Sequence, residues 1–138
     1  MKCVMGKFFE KNQDYLFFVF RIIVGVLFMV HGLQKIFGIL GAKGAATAFS
    51  LFWFAGIIEI TVGMLLVIGL LTRIAAIIGV IEMIVAYITV HMKSAVFPWA
   101  NGGELALLYL AAFLILVGFG SRKWSIDRLI HKDKSKDN

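Results

Sequence analysis

Four long apolar stretches, separated by short segments rich in glycine or in charged residues, dominate the sequence. A membrane-spanning helix needs about 20 mostly apolar residues, and these stretches are of that order. The tract from Leu51 to His91 is too long for one crossing at about 1.5 Å per residue, and Gly69 followed by Arg73 predicts a tight helical hairpin within it. The predicted spans are residues 15–37, 51–71, 73–92 and 104–120. The pattern predicts an all-α integral membrane four-helix bundle, with short interfacial helices at both termini.

The basic residues lie mainly at the ends of the apolar stretches, where they determine membrane orientation. Residues 1–14 form a basic N-terminal segment, and residues 121–138 form a basic tail that we expect to be partly disordered. The side of the membrane opposite both termini is predicted to carry only three lysines: Lys35, Lys43 and Lys93. The positive-inside rule then places both termini in the cytoplasm and the membrane domain, residues 15–120, in the inner (plasma) membrane.

The composition agrees with a membrane protein. Of the 138 residues, 61% are hydrophobic and 16% are charged, and the mean hydropathy is +0.93. A soluble domain of this size is mostly surface and could not bury so much apolar area. The formal net charge of +6 comes from residues at span ends, so it does not indicate nucleic-acid binding. The one cysteine, Cys3, excludes a disulfide or a CxxC redox pair within a single chain.

Three charged residues lie well inside the predicted spans: Arg21, Glu59 and Glu82. Charged groups at membrane depth are costly, so they normally face the interior of a bundle. We therefore predict a buried ion pair between Arg21 and either Glu59 or Glu82. Such a pair either only fixes the register of the helices or includes a glutamate that carries protons. The second reading makes these three residues candidates for catalysis.

A second polar group lies at the predicted outer ends of three helices. His31 and Lys35 lie near the end of the first span, His91 ends the third, and Glu104 opens the fourth. These four residues are candidates to hydrogen-bond the carbonyl oxygens of a quinone head group. Two histidines on facing helices also suit haem iron or, with Glu104, a metal ion, but no spacing motif such as HxxEH is present. We therefore predict no metal site and do not favour haem.

Several short motifs, in a fixed order, resemble those of the DoxX family. The first span carries RxxxGxxFxxHGxxKxFG, and the second carries Glu59 and Gly63; the motifs GLLTR, NGGE and GFGSRKWSID follow. The resemblance implies a small four-helix membrane protein. Some members of this family form the membrane subunit of a thiosulfate:quinone oxidoreductase, and others resemble partners in a membrane complex that handles thiols and oxidative stress. The matching polar positions are Arg21, His31, Lys35, Glu59, Arg73 and Glu104.

One main hypothesis and two alternatives follow. The chain is expected to be the membrane subunit of a quinone-linked redox system that acts on sulfur or thiol substrates or in oxidative stress. No flavin or nucleotide motif is visible, so electrons would come directly from substrate or from a soluble or membrane redox partner. The alternatives are a small-solute transporter lined by the buried charges, and an assembly partner without chemistry of its own. A second copy of the chain is a further candidate partner within the bilayer.

Overall fold

The computed structural model describes residues 4–134, with side chains from residue 10 to residue 130, and this part of the chain is helical and contains no strand. The helices are α1 (Val4–Phe37), α2 (Leu51–Ile68), α3 (Thr72–Ala86), α4 (Pro98–Asn101), α5 (Glu104–Phe119) and α6 (Ile126–Lys134). Helix α3 continues as a π-helical turn, Tyr87–His91. Three stretches are long and apolar enough to cross a membrane: Glu10–Phe37, Leu51–Ile68 and Thr72–His91. The all-helical prediction is confirmed for the described residues. Helix α5 is apolar but shorter than these three stretches, so a fourth membrane crossing stays a prediction, as does the side of the membrane on which the termini lie.

The apolar helices form two antiparallel pairs. Helix α1 packs along α2, helix α3 packs along α5, and α2 and α3 join the pairs. Phe28 of α1 is fully buried, and its ring meets the ring of Phe113 of α5 edge-on at 4.8 Å between centroids. This aromatic contact joins α1 to α5 in the core of the bundle.

Two pairs of glycines allow α1 and α2 to approach closely. A Cβ atom on Gly63 would lie 2.6 Å from the carbonyl oxygen of Gly25, and one on Gly32 would lie 2.6 Å from that of Gly56. The two glycines are equally spaced on each helix, so both pairs meet when the helices run antiparallel. Because lipid provides no hydrophobic drive for association, close packing of small residues is a main source of stability for such a pair.

The substitution Gly63→Ala tests this contact. The added methyl group has no space, so we expect it to lower the free energy of unfolding by about 1–3 kcal/mol, as overpacking does elsewhere. Gly118→Ala in α5 is the matched control, because a Cβ atom there meets nothing within 4 Å. Thermal unfolding in detergent measures both variants. Equal stability of the two would contradict the proposed close contact.

The α2–α3 hairpin is held by the C-terminal segment. Gly69, at φ 69°, ends α2, and α3 begins at Thr72, so the chain turns where the sequence predicted. The Asp127 carboxylate accepts hydrogen bonds from the backbone N–H groups of Leu71 at 2.7 Å and Thr72 at 3.1 Å. The N–H of Asp127 donates in turn to the carbonyl of Gly69 at 3.0 Å. Asp127 thereby satisfies free donors at the start of α3, as an N-terminal cap does.

Arg21 has main-chain partners, and the predicted ion pair with Glu59 or Glu82 is wrong. The Arg21 side chain is 0% exposed, and its guanidinium donates from Nη1 to the carbonyl of Ser121 and from Nη2 to that of Trp124, the latter at 2.7 Å. The C-terminal segment folds back over the hairpin and presents these carbonyls to the bundle interior. Two of the three guanidinium nitrogens thus have main-chain partners, whereas Nε is buried without one among the described residues.

The terminal segments differ in part from the predictions. Helix α1 is continuous from Val4, so the predicted N-terminal interfacial helix is not separate from the first span. Asp14 binds Arg122 at 3.4 Å and Lys123 at 2.7 Å, so the start of α1 and the C-terminal segment lie at the same end of the bundle. The predicted tail contains helix α6, and residues 135–138 lie outside the described part of the chain.

Candidate functional site

A partly open cavity of about 200 Å³ lies between the helices near the end formed by loops 38–50 and 92–103, which we call the loop end. Residues from α1, α2, α3, the π-helical turn and α5 line it. Its polar lining residues are His31, Lys35, Glu59, His91 and Tyr109, and its walls include Phe28, Met83 and Ala106. The cavity therefore combines an ammonium group, a carboxyl group, two imidazoles and a phenol within an apolar bundle.

An ion pair between Lys35 and Glu59 forms the centre of this site. Lys35 Nζ lies 2.6 Å from Glu59 Oε1, and the Glu59 side chain is 4% exposed, against 30% for Lys35. Gly56, one turn before Glu59, permits the crossing, because a Cβ atom there would lie 3.0 Å from the Cβ of Lys35. The glycine packing of α1 on α2 thus determines which cation meets Glu59.

Three carboxyl oxygens around this pair have no hydrogen-bond partner. They are Glu59 Oε2 and both oxygens of Glu82, all of them buried. Glu82 precedes Met83 of the cavity wall and is close enough to Glu59 and Lys35 to interact electrostatically with both. Buried polar atoms are nearly always paired, so unpaired ones need an explanation such as a bound proton, ligand or water. The unpartnered oxygens make Glu59 and Glu82 candidates to hold a proton or to bind a ligand.

The two histidines occupy different surroundings. The ring of His31 packs edge-on against the ring of Tyr109, with centroids 5.8 Å apart. His91 Nδ1 lies 3.2 Å from the carbonyl oxygen of Asn101, which orients its imidazole. Asn101 also donates from Nδ2 to the carbonyl of Ala95 at 2.8 Å. The NGGE motif therefore shapes the loop that holds His91.

A larger depression of about 480 Å³, which we call the vestibule, lies beside the cavity at loop 38–50. His31 and Lys35 line both the vestibule and the cavity. The loop is tied down by hydrogen bonds from Ala46 N to the carbonyl of Lys35 at 2.7 Å and from Gln34 Nε2 to the carbonyl of Leu40 at 2.8 Å. The vestibule therefore lies at the loop end, with His31 and Lys35 in its lining.

The structure brings together some of the residues that the sequence predicted and separates others. His31, Lys35, Glu59 and His91 line the cavity, and Glu82 does not line it but is within electrostatic range of Glu59. Glu104 is exposed in the first turn of α5 and does not line the cavity. Arg21 and Arg73 lie at the opposite end, by the hairpin. Within residues 4–134 no group of three or more histidine, cysteine, aspartate or glutamate residues is placed to hold a metal ion.

Tyr109 is the site residue that the sequence analysis missed. Its side chain is buried, it lines the cavity, and its ring also packs against Phe28 with centroids 5.2 Å apart. The available signal was a hydroxyl-bearing aromatic residue well inside an apolar stretch. Tyrosines of membrane proteins concentrate at the interfaces, so one away from a span end points to a polar partner or cavity.

Comparisons with known proteins identify the family. The DoxX family model matches residues 16–92, more than half of the chain. An uncharacterized protein of Haemophilus influenzae is 38% identical over 130 residues, which cover 89% of this chain and 96% of the relative. A Bacillus subtilis protein named "Putative oxidoreductase CatD" is 32% identical over 139 residues, covering 97% and 98%. The uncharacterized membrane protein Rv3486 of Mycobacterium tuberculosis is 29% identical over 132 residues, covering 81% and 79%.

No solved structure matches the fold significantly. The family model covers α2, α3 and all of α1 after its first turns, and hence Lys35, Glu59 and Glu82 of the site. By this match and by the full-length similarity to its relatives, the chain belongs to the DoxX family of membrane proteins.

Proposed function

We propose that the chain is the membrane subunit of a quinone-linked oxidoreductase, and that its cavity binds the head group of a membrane quinone. The observation that carries the proposal is the Lys35–Glu59 pair, which lines the cavity and whose second carboxyl oxygen, Glu59 Oε2, is buried without a hydrogen-bond partner in the described part of the chain. The oxidoreductase name of the Bacillus subtilis relative supports the redox class. Cavities of this kind, apolar with a few convergent polar groups, are typical ligand sites.

The cavity residues fit a quinone head group. The two carbonyl oxygens of a quinone need hydrogen-bond donors, and Lys35, His31 and Tyr109 can each donate. A volume of about 200 Å³ is below the roughly 300–1,000 Å³ of sites for drug-sized ligands, so it suits one ring rather than a whole tailed molecule. When bound, the quinone would act as the acceptor of two electrons and two protons. His31, Lys35 and Tyr109 would hold the ring, with His91 nearby at the loop end.

The glutamates supply the proton chemistry. In this proposal Glu59, which lines the cavity and pairs with Lys35, exchanges protons with the quinone, and the buried Glu82 is a second proton holder within electrostatic range of Glu59. Positioned acid–base groups of this type contribute about 10²–10⁴-fold to a rate. Oxidation of two thiols to a disulfide releases two electrons and two protons, which balances reduction of one quinone to a quinol. Because the chain has a single cysteine, the thiols belong to a substrate or to a redox partner.

The membrane arrangement in this proposal has four crossings. Helix α5 follows α3 over almost its whole length, from Gly103 against the Tyr87 ring to Gly120 against the Arg73 side chain. If α3 crosses the bilayer, α5 therefore covers the same depth. With an even number of crossings, the basic segments at the ends of the chain share one side, and the positive-inside rule assigns that side to the cytoplasm of an inner (plasma) membrane.

Quinone binding to the purified protein in lipid nanodiscs tests the proposal. Ala106 lines the cavity and is 9% exposed, so Ala106→Phe should fill it and weaken quinone binding at least about tenfold, because the ring contacts are lost. Ala111→Phe on the exposed face of the same helix is the matched control and should bind like the unsubstituted protein.

Two results would contradict the proposal. One is the absence of quinone binding by the unsubstituted protein, and the other is equal binding by the Ala106→Phe and Ala111→Phe variants. Solute flux in proteoliposomes that disappears with Glu59→Gln would instead favour the transporter alternative.

A further inference from the structure

An apolar groove of about 180 Å³ runs between α1 and α5 on the outside of the bundle. Its walls include Ile23, Leu27 and Leu108, whose side chains are 52%, 50% and 66% exposed. Its floor is formed by the buried residues Val24 and Tyr109. The backbones of α1 and α5 lie farther apart than those of the α1–α2 and α3–α5 pairs, and aromatic side chains such as Phe28 and Phe113 fill the space between them. The groove therefore marks a seam between α1 and α5 whose apolar walls face the surroundings of the bundle.

The groove meets the polar cavity at two residues. Leu105 and Tyr109 line both the groove and the cavity, so Tyr109 separates an apolar surface from the polar interior. On the far side of the cavity, His31 and Lys35 line both the cavity and the vestibule. The rings of His31 and Tyr109 contact each other between these two approaches. The polar site thus shares lining residues with the vestibule at the loop end and with the apolar groove on the outside of the bundle.

We infer that the α1–α5 groove holds the isoprenoid tail of the quinone whose head group occupies the cavity. The inference rests on the proposed function. The cavity has room for a ring but not for a tail, and its continuation past Tyr109 is lined by apolar side chains. A branched hydrocarbon chain is matched by such a surface and passes from it directly into the acyl chains of the bilayer. The vestibule stays free for a water-soluble substrate or partner.

A comparison of tailed and tail-less quinones tests this inference. Ala112 lines the groove and does not line the cavity, so Ala112→Phe should obstruct the tail alone. In nanodiscs we expect this variant to bind a long-tailed quinone at least about tenfold more weakly, because contacts along the tail are lost. It should bind a tail-less benzoquinone like the unsubstituted protein, and this retained binding also shows that the variant is folded.

The neighbouring variants separate the possible causes. Ala111→Phe should bind both quinones normally, and Ala106→Phe should lose both. If Ala112→Phe fails to fold, Leu108→Trp places a bulky side chain on the exposed wall of the same groove and should give the same selective loss.

The inference would be overturned if Ala112→Phe or Leu108→Trp weakened neither quinone or weakened both equally. It would also be overturned if the unsubstituted protein bound the tailed and tail-less quinones with equal affinity. This last result would be expected if a second copy of the chain covered the groove. Failure of the unsubstituted protein to bind either quinone would instead remove the proposed function itself.

Discussion

Replacing Arg21 with leucine is expected to lower the free energy of unfolding by roughly 3–5 kcal/mol, because two charge-assisted hydrogen bonds of about 1.5–3 kcal/mol each disappear. The buried guanidinium joins α1 to the carbonyls of Ser121 and Trp124, and no other side chain of the described residues replaces it there. Its loss leaves these two carbonyls without their donor. Titration with a denaturing detergent measures the change in stability.

Arg73→Leu provides the control for this substitution. The Arg73 side chain is exposed and makes a single long hydrogen bond, 3.4 Å from Nη2 to the carbonyl of Gly118, so its removal should change stability by no more than about 0.5 kcal/mol. Limited digestion with trypsin gives a second measurement, because release of the C-terminal segment exposes cleavage sites after Arg122 and Lys123. Equal stability and equal cleavage of the Arg21 and Arg73 variants would contradict an anchoring role for Arg21.

Replacing Glu59 with glutamine is expected to reduce thiol-dependent quinone reduction by about 100-fold or more, the effect of losing a positioned acid–base group. Glutamine can still accept a hydrogen bond from Lys35, but it cannot carry a proton. The rate should be measured in native membranes that retain the redox partner, with the substituted gene in place of the original. Glu82→Gln, which removes the second proton holder, should reduce the rate by a smaller factor.

Glu104→Gln is the control for the glutamate substitutions. Glu104 is exposed in the first turn of α5 and does not line the cavity, so its substitution should leave the rate unchanged. The unfolding of the Glu59→Gln protein should also be measured, because an inactive but folded variant separates chemistry from stability. A Glu59→Gln protein that retains the full rate would contradict the assigned role.

The sequence predicted those features that depend on local pattern. Apolar length located the long helices, and the αL preference of glycine located the hairpin at Gly69. Because a charged group is costly in lipid, Arg21 and Glu59 are expected to face the bundle interior, and both are buried there. Each of these conclusions needs only the residues of one segment and a general property of the bilayer.

The partners of these buried groups depend on tertiary geometry. Arg21 binds main-chain carbonyls about 100 residues away. Because every residue has a carbonyl, the sequence does not indicate which ones will be partners. Lys35 reaches Glu59 because the glycine pairs determine how α1 rotates against α2, which the helix periods alone do not specify. Glu104 lies at the loop end of α5, but on a face of the helix that does not line the cavity. Tyr109, more than a turn later in the same helix, lies on the face that lines it.

An infrared difference spectrum, recorded as bound quinone is reduced electrochemically in the purified protein, tests most directly whether a cavity carboxyl exchanges protons with the quinone. The account predicts a change in the carboxylic-acid C=O band that is lost in Glu59→Gln and retained in Glu104→Gln. A spectrum without any carboxyl change, or with a change that survives in Glu59→Gln, would contradict it.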